Sequence, residues 1–201
     1  MIGFTQKTLR GGGSLWIGSL PAHLHPRDEA FDALWALHPD QFHEIYMHGR
    51  LVKTPRWQQA YGKDYRYTGN TNRALPISPA LSPLLTWCQH AIDPRLNGLL
   101  LNWYDGAQGH YIGAHRDSII GLIPNAPIVT ISLGQPRPWR LRPWKSTGFE
   151  DIEATDGAVF VLPWDTNLTY THEVTAPARA TGRRVSVTLR AFTDAETDTG
   201  P

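Results

Sequence analysis

A mainly β fold with some helix, α+β in class, is what this 201-residue chain predicts. Three observations carry that reading. After Pro94 the sequence breaks into short apolar or alternating runs of strand length, at Gly98–Tyr104, Tyr111–Arg116, Pro127–Leu133, Trp139–Leu141, Ala158–Leu162, Asn167–Thr171 and Arg184–Phe192. Turn signals separate several of them, at Asp105-Gly106, Gly134–Pro138 and Asp156-Gly157. The 18 glycines and 16 prolines suit frequent reversals better than long helices. Many short strands at close spacing point to a sandwich or a jelly roll.

The chain before Pro94 is more varied. Arg10-Gly11-Gly12-Gly13-Ser14 precedes the apolar run Leu15-Trp16-Ile17. No Gly-Lys-Ser/Thr follows, so the glycines read as a turn before a strand and not as a phosphate loop. Pro26 to Leu37 reads as a helix, with Phe31, Leu34, Trp35 and Leu37 near helical spacing and two acids in the first turn. His38-Pro39-Asp40 ends it as a turn, which argues against this His-x-Asp as a metal site. Ser78-Pro79 opens a second helix reaching about Ala91, and Asp93-Pro94 stops it.

Between Ile45 and Gly69, Tyr46, Trp57, Tyr61, Tyr65 and Tyr67 interleave with Arg50, Lys53, Arg56, Lys63 and Arg66. Such a stretch can stack on nucleobases and hold phosphates. It can equally be an aromatic hairpin packed on the core with its charges in water, and composition does not choose between the two.

With 41% hydrophobic and 18% charged residues the chain is globular in composition, and its length suits one domain. A formal net charge of +1 neither requires nor excludes a nucleic-acid partner, because a local basic patch can sit on a nearly neutral protein. Cys88 is the lone cysteine and cannot form an internal disulfide, which leans towards a reducing compartment. No signal peptide and no membrane-spanning run is apparent, so a cytoplasmic location is expected; a monomer is expected as well.

The chemistry concentrates between Asn102 and Asp117. His115 and Asp117 lie two apart, as do Asn102 and Tyr104, and residues i and i+2 share one face of a strand. An imidazole and a carboxylate on one face suit a cation such as Fe(II), for which two histidines and one carboxylate leave positions open to reactants. His172, late in the β region, is the best third ligand. The last strand alternates Arg184, Ser186, Thr188 and Arg190 with Val185, Val187 and Leu189. If both faces are covered, the arginines need anions, and two on one strand could bind both carboxylates of one small molecule. His115-Arg116-Asp117 also spells a kinase catalytic triplet, but Leu122 stands where that motif needs Asn.

Taken together, Asn102-x-Tyr104, His115-x-Asp117, His172 and Arg184-x-Ser-x-Thr188-x-Arg190 resemble the AlkB-like Fe(II)/2-oxoglutarate-dependent dioxygenases. Pro55-Arg56 through Tyr61-Gly62 to Tyr65-Arg-Tyr67-Thr-Gly69 resembles the nucleotide-recognition hairpin of the nucleic-acid demethylases in that family. The resemblance implies a double-stranded β-helix. Residues 1–95 would be N-terminal helices and lid, 96–192 the jelly-roll core, and 193–201 a flexible tail. It implies Fe(II) on His115, Asp117 and His172, and 2-oxoglutarate and O2 as cosubstrates. Arg190 would hold the C1 carboxylate of 2-oxoglutarate and Arg184 the C5 carboxylate. Asn102 and Tyr104 would hydrogen-bond it, and Thr188 would line its pocket. Arg56, Trp57, Tyr65, Tyr67 and Ile119 would face the substrate, with Tyr67 stacked on a flipped base opposite His115. The implied reaction is oxidative demethylation of an alkylated nucleobase, with release of succinate, CO2 and formaldehyde.

Two positions depart from the family pattern. Ile119 stands where the demethylases usually carry an acid that contacts the base, and Ser186 where Asn is common. The loop from Tyr104 to His115 is also long, and places His110 as a second histidine near the ligands. Since Ile119 cannot hydrogen-bond a base, the alternative is a hydroxylase of a small molecule or a protein side chain with the same cofactor chemistry.

Overall fold

The computed structural model describes residues 1–47, 49–67, 70–176, 179 and 181–193. The N-terminal part runs β1 (Thr5–Thr8), β2 (Ser14–Ser19), α1 (Asp28–Trp35), β3 (Glu44–Met47), β4 (Arg50–Lys53), β5 (Trp57–Tyr61), β6 (Tyr65–Tyr67), β7 (Asn70–Asn72), β8 (Ala74–Leu75) and α2 (Ser82–Ala91). The remainder runs β9 (Gly98–Asp105), β10 (Ile112–His115), β11 (Ile128–Gly134), β12 (Arg137–Pro143), β13 (Glu150–Ala154), β14 (Ala158–Leu162), α3 (Trp164–Thr169), β15 (Tyr170–Val174) and β16 (Arg183–Arg190). Thr68, Gly69 and the expected tail from Asp194 lie outside the described residues.

Two sheets make the frame. The larger has eight strands in the order β1-β2-β14-β11-β16-β9-β5-β8, and the smaller four, β10-β15-β12-β13. The hairpins β3–β4 and β6–β7 stand apart from both. The jelly roll expected from the strand pattern is therefore present. The N-terminal region differs from the expected helices and lid, because β1, β2, β5 and β8 all belong to the larger sheet.

Strand alternation sorts the side chains into two cores. Leu99, Leu101 and Trp103 of β9, Val129, Ile131 and Leu133 of β11, and Val185, Val187 and Leu189 of β16 point to one face of the larger sheet. There they meet Leu34 of α1 and Leu84, Leu85 and Cys88 of α2. The Trp103 indole N–H donates to the Leu34 carbonyl at 3.0 Å, which ties α1 to the sheet. Burial pushes the Cys88 thiol up to about 12, so the lone cysteine serves this core as an inert apolar group. On the opposite face Tyr104, Ile128 and Phe160 meet Trp139, Leu141 and Val174 of the smaller sheet. Burying each such side chain contributes roughly 1.5–3 kcal/mol.

Several boundaries moved. The second helix starts at Ser82, one turn after Ser78-Pro79, because residues 78–81 form a tight turn with Leu81 and Ser82 N–H on the Ser78 carbonyl. The expected strand Asn167–Thr171 is α3 followed by β15, so His172 lies within a strand. Side chains favour the helical turn: Thr166 donates to the Ser14 carbonyl at 2.9 Å and Thr169 to the Asp165 carbonyl at 2.7 Å. β1 and β13 are edge strands that the sequence pattern did not single out. The glycine turn at 11–13 joins β1 to β2 beneath Tyr170, whose hydroxyl donates to the Arg10 carbonyl and accepts from Gly13 N–H. A Cβ on Gly13 would meet the Tyr170 ring at 2.4 Å. No helix among the described residues is long and apolar enough to cross a membrane.

Candidate active site

The smaller sheet brings two histidines face to face. β10 and β15 pair antiparallel with His115 directly opposite His172, and the ring centroids are 4.4 Å apart. Asp117 follows β10 and turns in beside them. Its Oδ1 is 3.7 Å from His115 Nε2 and 3.9 Å from His172 Nε2. One ligand atom from each of the three lies within 4.8 Å of the others, a spacing that a single metal ion spans.

The donor set is prepared for a cation. His115 Nδ1 sits 2.8 Å from the Gly113 carbonyl and donates its proton there, which leaves Nε2 with a free lone pair. Burial, with His172 alongside, lowers the His115 pKa to about 3, and burial lowers that of His172 as well. Both rings are therefore neutral near pH 7. Burial alone would raise the Asp117 carboxyl, but the Arg190 guanidinium beside it holds it well below the usual carboxylate range. Two neutral imidazoles and one carboxylate, with a second-layer hydrogen bond on His115, are the chemistry of a two-histidine, one-carboxylate iron site.

Asp117 is held from three directions. Arg190 donates to its Oδ2 through Nη2 at 2.7 Å and Nε at 3.2 Å. Burial opposes the Arg190 charge, and Asp117 with Tyr65 outweighs it. The Tyr65 ring lies under the Arg190 guanidinium at 4.3 Å, and its hydroxyl is 3.4 Å from Asp117 Oδ1. Asn167 brackets the Asp117 backbone, accepting from its N–H at 3.0 Å and donating to its carbonyl at 3.2 Å. Asn167 has no sequence signature; it is buried on α3 and reaches Asp117 only through the tertiary fold.

Behind the triad lies an inner cavity walled by Asn102, Tyr104, Asp117, His172, Arg184, Ser186, Thr188 and Arg190, together with Trp139 and Phe160. All five residues expected around the cosubstrate line it. Arg184 is 1% exposed, with Nε donating to Ser132 Oγ at 3.0 Å and its guanidinium 5.0 Å from the Tyr104 ring centre. Among the described residues its Nη1 has no hydrogen-bond partner, and burial lowers its pKa. A buried guanidinium with an unused donor facing a cavity is a fitted place for a carboxylate. Thr188 pairs with Thr130 across β11 and β16, with hydroxyls 3.5 Å apart.

A second buried arginine escaped the sequence reading. Arg137 opens β12, 1% exposed, and donates through Nη2 to the His110 and Thr175 carbonyls, while its Nε and Nη1 have no partner among the described residues. The expected strand began at Trp139, which left Arg137 in a turn. Its spacing of two from Trp139 and four from Leu141 is the signal that marks it as inward-facing.

Outside the triad an open cleft of about 570 Å³ is lined by Tyr65, Tyr67, His115, Asp117, Ile119, Ile120, Trp144 and Leu168 among others. Tyr65, Tyr67 and Ile119, expected to face the substrate, line this cleft. Arg56 and Trp57 were expected with them and are not. Arg56 is buried, donating to Asn102 Oδ1 at 2.8 Å and to Gln58 Oε1 at 3.0 Å, so it braces Asn102. Trp57 stacks between His38 and Phe42, with ring centres at 4.3 and 5.2 Å, in an aromatic cluster. Tyr67 is itself tied down by a hydrogen bond from Gln58. His110 is buried, with Nδ1 accepting from Asp105 N–H at 3.1 Å, and stands outside the triad. His38 and Asp40 stay in their turn.

The profile of the 2OG-Fe(II) oxygenase superfamily matches residues 35–190. The structure superposes on the solved structure of OsALKBH1 with a TM-score of 0.53 at 15% identity, over 94% of this chain and all of that one, a likeness of fold. An RNA replication protein of Grapevine virus A (isolate Is 151) is 27% identical over 162 residues, 81% of this chain. This chain spans only 9% of that viral protein. With the profile covering most of its length and the donor set in place, the chain belongs to the 2OG-Fe(II) oxygenase superfamily.

Proposed function

We propose that the protein oxidatively removes alkyl groups from nucleobases in DNA or RNA. His115, Asp117 and His172 would hold Fe(II), and the inner cavity would hold 2-oxoglutarate. Arg190 suits the C1 carboxylate because it already stands beside Asp117. Arg184 suits the C5 carboxylate because its free Nη1 lies at the far end of the same strand face. Asn102, braced by Arg56, and Tyr104 supply side-chain polar contacts, and Thr188 closes the wall. When bound, iron and 2-oxoglutarate with O2 supply an oxidant that yields succinate and CO2 and places one oxygen atom in a substrate C–H bond. On an N-methyl carbon the product is a carbinolamine. It breaks its own C–N bond to give formaldehyde and the free N–H of the base.

The observation that carries the substrate class is the cleft wall. Tyr65, Tyr67 and Trp144 surround an opening that ends on His115 and Asp117, and aromatic walls of this kind stack on bases. The partial relation to a viral RNA replication protein supports the same class. Tyr65, fixed by Arg190 and Ser118 N–H, forms a rigid floor, and the Gln58 contact sets the angle of Tyr67.

Incubation of the iron-loaded protein with N-methylated oligonucleotides is expected to release formaldehyde and unmethylated base in equal amounts. Succinate without demethylated base would count against the reading. Anaerobic addition of Fe(II) and 2-oxoglutarate is expected to give a charge-transfer band, absent in His115→Ala and shifted to higher 2-oxoglutarate concentration in Arg190→Ala.

A second reading rests on Ile119 and Ile120, 42% and 62% exposed at the same cleft. An aliphatic rim suits hydroxylation of a small molecule or a protein side chain. Succinate release stimulated by metabolites or peptides and not by nucleic acid would favour it.

A further inference from the structure

Trp144 lies in the turn between β12 and β13 and is 46% exposed. It walls the active-site cleft on one side. On the other it walls a second cleft of about 600 Å³, formed with Gly12, Ser146, Pro163, Thr169 and Tyr170. The indole is thus the ridge between two adjoining depressions. The Arg116 guanidinium sits 4.3 Å from the Trp144 ring centre and is steadied by the Leu168 carbonyl at 2.9 Å.

The neighbouring cations make this pair distinctive. Arg140 and Arg142 also stack on an aromatic ring, that of Phe149, but each is paired with a carboxylate, Asp151 and Glu173 respectively. Arg116 and the adjacent Lys145 make no ion pair among the described residues. An exposed indole backed by an unneutralised guanidinium, with an ammonium next in sequence, offers a stacking face and two charges for a phosphate. The indole is nearly half exposed and belongs to none of the core clusters.

We infer that Trp144, Arg116 and Lys145 form a subsite for the nucleotide that flanks the one being oxidised, and that the strand continues over Trp144 into the second cleft. This rests on the nucleobase reading above. Tyr65 and Tyr67 would take the target base, Trp144 its neighbour, and Arg116 and Lys145 the linking phosphates. The enzyme would then recognise a stretch of strand and bind an isolated nucleotide weakly.

The test is competition binding by fluorescence anisotropy, using the protein loaded with iron and 2-oxoglutarate without oxygen. Competitors are an N-methylated mononucleotide and single strands of three, five and nine nucleotides carrying the same base. Wild type is expected to gain at least about tenfold in affinity from one nucleotide to five. Trp144→Ala should lose about tenfold of that gain, in line with base–aromatic stacking, and Trp144→Phe should keep most of it. Lys145→Ala should make the slope of log affinity against log salt shallower by about 0.7, the value for one phosphate contact on a single strand. The charge-transfer band, retained in both alanine variants, reports an intact fold. Wild-type length dependence and salt slope in both variants would overturn the subsite while leaving the nucleobase reading in place. No binding of any oligonucleotide by wild type would overturn both.

Discussion

At the scale of single residues, the two buried arginines of β16 do opposite things to stability. Arg190 is 3% exposed and neutralises Asp117. Arg190→Met would leave a buried carboxylate unpaired and should cost about 3–5 kcal/mol in the cofactor-free protein. Arg184 is equally buried but has no carboxylate partner and an idle Nη1. Arg184→Met should leave the thermal midpoint unchanged or raised, while 2-oxoglutarate affinity falls by about a hundredfold or more. Thermal unfolding and isothermal titration of the two variants check the contrast. The histidines give a pH signature. His115 protonates near 6.5 in the unfolded chain and near 3 when folded, so unfolding takes up a proton between those values. Its contribution is fully present above pH 6.5 and is lost progressively as the pH falls towards 3. The thermal midpoint of metal-free protein should drop between pH 7 and pH 4.5, and His115→Gln should flatten part of that slope.

At the scale of elements, β10 and β15 hold the histidines by register, whereas α3 holds the carboxylate from outside the sheet. Asn167→Ala would release the Asp117 backbone from both its bonds. Removal of such an outer support should weaken Fe(II) or Mn(II) binding by about 10–100-fold with little change in the inner cavity. A metal titration followed by 2-oxoglutarate titration at saturating metal separates the two effects. This element also shows where sequence reading reaches its limit. His115-x-Asp117 and the alternation along β16 are local, and residue types at a spacing of two report a shared face directly. His172 was legible as a late histidine in β structure, but the helical turn before it was not. Asn-Leu-Thr-Tyr-Thr fits a strand pattern, and the helix depends on Thr166 reaching Ser14, which is 152 positions away. Arg56 and Trp57 failed for the same reason. Their types suit nucleic acid, and only the pairing of β5 with β9 turns Arg56 onto Asn102.

For the whole molecule, the β-rich jelly-roll character and the alternation along β16 were readable because alternation and turn residues repeat along the chain. Sheet membership was not, since β1 and β2 join the larger sheet through β14 far downstream. That partition has a consequence for how the protein breathes. Both histidines belong to the four-stranded sheet, and both arginines to the eight-stranded one, with Asp117 and Arg190 bridging the gap. The two sheets resemble the covers of a book, and on the proposed site the cofactors would sit where a clasp does. Metal and cosubstrate at a hundredfold excess over their dissociation constants should each deepen the native well by about 2.7 kcal/mol. Hydrogen–deuterium exchange should localise the gain: amides of β10 and β15 slow on loading, while those of β9 and β11, already locked in the helix-backed core, change little. On this partition the four-stranded sheet is expected to be the part of the fold that opens first, and its loading the step that closes it.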